Sequence, residues 1–205
     1  MLSPKTIDKI EDKLSVPVVI RELMESDSRD LPDAMQYGLH EVISDFQPDS
    51  ALLCIALSVR VILEAQGYFS TALKTLLLEC DRIIEDYAPL WLEHAREETI
   101  DQTLLFETLA AVPEDLEALA EMIALNVDLL HETNPKAAAL CEILNIQATA
   151  HAIIAEHYVD VMDLQKEDEN GDGDEEEGDI LPFGALPPVV FSDNVIPFPG
   201  LETRG

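Results

Sequence analysis

Five proline marks divide the first 165 residues of this chain into segments that read as helices. Ser3-Pro4, Asp30-Leu31-Pro32-Asp33, Gln47-Pro48-Asp49-Ser50, Val112-Pro113-Glu114-Asp115 and Asn134-Pro135-Lys136 each have the form of a helix start. Proline suits the first helical position because its missing N–H would have been unpaired there. Acids just after it face the positive end of the helix dipole. Thr99-Ile100-Asp101-Gln102 adds a capping box, and Gly67 stands where a left-handed terminator is expected after Ala65-Gln66. Between these marks apolar residues recur at helical spacing, as in Leu116, Leu119, Met122, Ile123 and Val127, or Leu73, Leu76, Leu77, Cys80, Ile83 and Ile84. The pattern predicts helices at about 4–14, 17–26, 32–46, 49–66, 69–87, 89–98, 100–111, 113–131 and 135–165. No strand is expected there.

Ala51 to Val59 is apolar nearly all round, which predicts a central helix covered on several sides. The segment 135–165 carries Ala137, Ala138, Ala139, Ala148, Ala150, Ala152 and Ala155, small residues that let a neighbour approach closely. Short connections between consecutive helices favour antiparallel neighbours. The expected fold is therefore all-α: an antiparallel multi-helix bundle over 1–165, with a short solenoid of helix pairs as the alternative. The spacing of the helix starts does not follow the periods of helical repeat arrays. Composition changes after Gln165: 166–179 reads as an acidic linker, and 180–205 as an apolar tail, extended or disordered, with Pro182, Pro187, Pro188, Pro197 and Pro199.

Charge limits the partners. The chain has 42 acids against 12 bases, a net -30, yet 47% of its residues are hydrophobic, so it can fold. Residues 1–165 hold 31 acids and 10 bases, net -21, and 166–205 hold 11 and 2, net -9. The folded part is itself strongly acidic, with an N-terminal cluster of Asp8, Glu11, Asp12, Glu22, Glu25, Asp27, Asp30 and Asp33. Direct binding to nucleic acid or an anionic membrane needs Lys and Arg and is not expected. A surface this charged serves solubility, or alternatively meets a basic protein partner. Met1 to Ile10 lacks the apolar run of a signal peptide, and no uncharged stretch reaches the roughly 18 apolar residues of a membrane helix. Cys54, Cys80 and Cys141 are far apart and set in apolar helical contexts, the pattern of buried thiols in a reducing compartment, so a cytoplasmic location is expected.

Catalytic patterns are missing. There is no Gly-Lys-Ser/Thr, no Gly-x-Ser-x-Gly, and no pair of Glu-x-x-His helices. His151 and His157 lie six residues apart and point about 120° away from each other on a helix, so they cannot share a metal. No catalytic residue and no tightly bound cofactor is expected. One cation site is a candidate. Asp168, Asn170, Asp172, Gly173, Asp174 and Asp179 resemble the calcium loop of EF-hands and dockerin modules, with Asp at the twelfth position where Glu is usual. Glu175 replaces an apolar loop residue, and Pro182 follows where an exit helix would begin. The resemblance implies at most a weak calcium site, and the same composition suits a charged spacer.

The tail is the other candidate. Ile180-Leu181-Pro182-Phe183 and Val195-Ile196-Pro197-Phe198 share an aliphatic-aliphatic-Pro-Phe core, and Phe191 lies between them. Eleven of the twenty residues from Ile180 to Pro199 are apolar, too many for an idle end. Pro182, Phe183, Phe191, Pro197 and Phe198 are thus expected to dock, either on the chain's own bundle or on a partner. Trp91, between Leu90 and Leu92, is expected in the core or lining a groove, and would be a natural receiver. The expected function is a non-enzymatic protein-interaction module, such as an adaptor, chaperone-like partner or regulator. The alternatives are a nucleic-acid mimic that blocks a basic protein, and a calcium-responsive protein acting through 168–179.

Overall fold

A computed structural model describes residues 2–28, 30–66, 70–94 and 102–170, with side chains placed except at 93–94, 102–109 and 160–170. Seven helices account for nearly all of these: α1 (Pro4–Leu14), α2 (Val16–Glu25), α3 (Asp33–Ser44), α4 (Pro48–Gln66), α5 (Thr71–His94), α6 (Gln102–Thr133) and α7 (Pro135–Asn170). Among the described residues there is no strand. The fold is an all-α, multi-helix bundle.

Several starts are built as the local chemistry requires. Ser3 caps α1 by accepting the Thr6 N–H on its hydroxyl, with Pro4 following at the first turn. Asn134 caps α7 by accepting the Ala137 N–H at 3.2 Å, ahead of Pro135. Ser70 does the same for α5 through the Leu73 N–H. Gly67 and the Thr99 capping box lie outside the described residues.

Two expected starts are not starts. Pro89 lies inside α5, which runs from Thr71 to His94, and Pro113 inside α6, which runs from Gln102 to Thr133, so each proline sits within one helix where two were expected. An internal proline removes one i→i−4 hydrogen bond and crowds the preceding turn, at a cost of about 3 kcal/mol or more. Packing offsets it. Tyr87, Ala88 and Trp91 around the first proline, and Val112 and Leu116 around the second, are all buried in the core. α7 also continues to Asn170, beyond the expected end at 165.

α4 is the axis of the molecule. Every residue from Pro48 to Leu63 except Asp49 and Arg60 is buried, and α4 packs against all six other helices. α4 and α5 form an antiparallel hairpin: Ser50 meets Trp91 near one end and Arg60 meets Asp81 nearer the turn. α6 and α7 form a second hairpin, closed by the single residue Asn134 and tied by His131 Nε2 to Glu142 at 2.9 Å. α3 runs parallel to α7, since His40 meets Gln147 and Ile43 meets His151 one turn further on.

Charged side chains, some buried and some half-exposed, tie neighbouring helices together. Glu11, almost fully buried in α1, pairs with Arg21 of α2 and so leaves the exposed acidic cluster. Arg82 binds Glu79, Asp86 and Asp115, and Tyr87 donates to Asp115 at 2.7 Å, joining α5 to α6. Lys136 sits in the first turn of α7, where a cation is unfavourable for its own helix. Its ammonium instead donates to the carbonyls of Leu23 and Ser26 at the negative end of α2. Burial lowers its pKa, against the pull of Asp27. Replacing this amine takes a charged donor away from part-buried carbonyls, a loss of about 1.5–3 kcal/mol. Lys136→Met should therefore lower the free energy of unfolding in urea by that amount, whereas Lys74→Met, at an exposed position, should change it by no more than about 0.5 kcal/mol.

Candidate functional site

Cys54, Cys80 and Cys141 are free and buried. Burial pushes the Cys54 and Cys141 thiols up to about 12, and raises Cys80 well above its usual value. At neutral pH they are protonated and poor nucleophiles. Burial likewise raises the Tyr87 phenol, and its hydrogen bond to Asp115 adds to the effect. Among the described residues no three His, Cys, Asp or Glu side chains converge as a metal site.

Trp91 belongs to the core. Its ring is buried, its indole N–H donates to Ser50 Oγ at 3.2 Å, and Lys13 Nζ lies 5.7 Å from the ring centroid. Inserted between α5 and α4, it offers no open platform to a docking peptide. The expected tail contacts Pro182, Phe183, Phe191, Pro197 and Phe198 lie outside the described residues, as do Asp172, Asp174 and Asp179 of the calcium-loop pattern. Asp168 and Asn170 belong to the last turn of α7, with side chains outside the described set.

α7 carries what sequence reasoning missed. Its inner face holds Leu144, Gln147, Ala148, His151, Ala152 and Ala155, all buried. Its outer face holds Ile146, Ile153, Ile154 and Tyr158, exposed by 56%, 65%, 43% and 44%. With exposed Ala150 and His157 between them, the positions recur at three- and four-residue steps and so form one continuous stripe. The spacing was visible in the sequence. A helix apolar on both sides, however, reads as a helix buried on both sides. The stretch Pro135–Val159 even has the length and hydropathy of a membrane span, with 56% of its most apolar window buried in the fold. That share marks a core helix with one open face.

Much of the exposed surface elsewhere on the described residues is acidic. Seven of the eight N-terminal acids are exposed, with Glu11 the exception. α6 contains no Lys or Arg, and exposes Glu114, Glu117, Glu121, Asp128 and Glu132 along one side. Neighbouring carboxylates three or four residues apart on a helix have Cβ atoms about 5–6 Å apart. No family model, curated protein or solved structure matches the chain.

His151 gives this region a pH signature. Its Nε2–H donates to the Ile43 carbonyl at 2.9 Å, and Nδ1 is buried without a partner. Burial lowers its pKa, outweighing that hydrogen bond. The folded state thus holds His151 neutral, and its contribution is fully present above the unfolded value of about 6.5. It is lost as pH falls from there towards the lowered folded value. The stability difference between the native protein and His151→Gln should shrink over that acidic range, measured by urea unfolding at each pH. Carboxylate effects are common to both proteins and cancel.

Proposed function

We propose that this chain is a non-enzymatic protein-interaction module, an adaptor or regulator that binds through the outer face of α7. The observation that carries this reading is the stripe Ile146, Ile153, Ile154 and Tyr158, solvent-facing on a helix whose other face is core. Scattered exposed apolar residues are ordinary, but a contiguous row of them on one rigid helix is the form of a helix-based docking surface. The net acidity of the chain suits a basic partner, because charge complementarity steers encounter and excludes wrong partners. The C-terminal Pro-Phe segment is the second docking element of the same module. Three protonated, unpaired thiols are in keeping with a cytoplasmic, reducing location.

A second reading is favoured by one observation, the carboxylate line on α6. Five acids at steps of three, four, seven and four residues on a helix without Lys or Arg present a basic protein with a negatively charged line like a nucleic-acid strand, and the chain would then block that protein's binding site. Calcium responsiveness rests on residues 168–179, most of which the structure does not describe.

Quantitative capture experiments separate the two surfaces. Ile153→Ser/Ile154→Ser changes only exposed side chains and should leave the melting temperature within a few degrees. It should reduce capture of specific partners at least about tenfold, which corresponds to the loss of one well-buried aliphatic contact. Capture should also weaken as salt rises from low to physiological strength. An unchanged set of partners in that variant, lost instead at high salt and competed off by duplex DNA, would transfer the function to the acidic line of α6.

A further inference from the structure

The apolar stripe of α7 and the apolar tail belong to one chain, and their dimensions match. We infer that the segment Ile180–Pro199 lies back along the outer face of α7 in the free protein and covers Ile146, Ile153, Ile154 and Tyr158. This rests on the reading of that face as a docking surface, and names its occupant before a partner arrives.

Reach is the first support. At 1.5 Å per residue, Tyr158 lies about 18 Å back along α7 from Asn170, and Ile146 about 36 Å. The nine residues 171–179 span up to about 30 Å when extended. Ile180 therefore reaches the level of Tyr158 with chain to spare. Phe183 and Phe191 are eight residues apart, or about 25 Å in the polyproline conformation that the flanking prolines favour. The stripe from Tyr158 to Ile146 is about 18 Å long. Two phenylalanine rings can thus bracket it.

Charge is the second support. The chain carries -30 overall, but from Ile180 to Pro199 the only charged residue is Asp193. This stretch meets the acidic domain with one like charge, whereas the linker 171–179 that leads to it carries six acids. A second copy of the chain is a poorer occupant. Two domains of this charge repel, and four partly exposed side chains fall well short of the roughly 800 Å² per partner that a stable interface buries. Tethering removes that shortfall, since a short linker holds the tail at an effective concentration in the millimolar range.

Photo-crosslinking in the full chain tests the inference. A benzoylphenylalanine is placed at position 183 and, separately, at position 191, and the products are mapped by mass spectrometry. Links should form within one chain to the peptide 146–158 and run at monomer mass. Ile153→Ser/Ile154→Ser should reduce their yield at least about tenfold, as expected when two aliphatic contacts are lost. Links that run at dimer mass would assign the face to a second copy and overturn the inference. So would links to other helices, an absence of links, or a yield unchanged by the two serines. If crosslinks fail while the serine variant still loses partners, the docking surface stands and only its occupant in the free chain is wrong.

Discussion

Burial of α4 on every side is the constraint from which the rest of the structure follows. A helix with no solvent face of its own must be walled by others, and α2, α5 and α7 supply the largest walls. α5 achieves this by folding back on α4 as a hairpin, and it carries Pro89 through its interior rather than breaking there. α7 is held at its start and at its middle. Lys136 fixes its start to the end of α2, and His151 with Gln147 fixes its middle to α3. With its inner face committed in this way, α7 has its other side turned to solvent, and that side is apolar.

Much of this architecture was legible in the amino-acid order. The all-helical class, the central position of Ala51–Val59, the buried thiols and the caps at Ser3 and Asn134 all follow from local chemistry and periodicity. Pro89 and Pro113 were misleading for a definite reason. A proline with helix-forming residues after it looks the same at a helix start as inside a helix, and only the packing around it decides. Tyr87, Trp91, Val112 and Leu116 lie in the core at those points, and the price of one missing hydrogen bond is less than that of breaking the helix there. Asp115 illustrates the same limit: it looked like a dipole-stabilising acid, but it accepts from Tyr87 and Arg82 across two helices.

The interaction surface was hidden for a related cause. Sequence periodicity finds a helix face by contrast between apolar and polar sides, and α7 has little contrast. Trp91 drew the eye as the receiver for a peptide, yet its ring was taken by the contact between α4 and α5. Ile146, Ile153, Ile154 and Tyr158 gave no local sign of exposure. Their role depends on which neighbours α7 meets, a property of the tertiary arrangement alone. Acidity then adds selectivity, because a chain of net charge -30 tolerates a neutral or basic occupant far better than another acidic one.

The central claim is that the outer face of α7 is a binding surface occupied in the free chain. It is read most directly by isoleucine methyl spectra of the full-length protein with a soluble paramagnetic agent added. The δ1 methyls of Ile146, Ile153 and Ile154 are expected to be shielded nearly as well as those of the buried Ile55 and Ile62. They should become strongly broadened when Phe183, Phe191 and Phe198 are all changed to alanine. Strong broadening of these three methyls in the unaltered chain, unchanged by the alanine substitutions, would contradict the account.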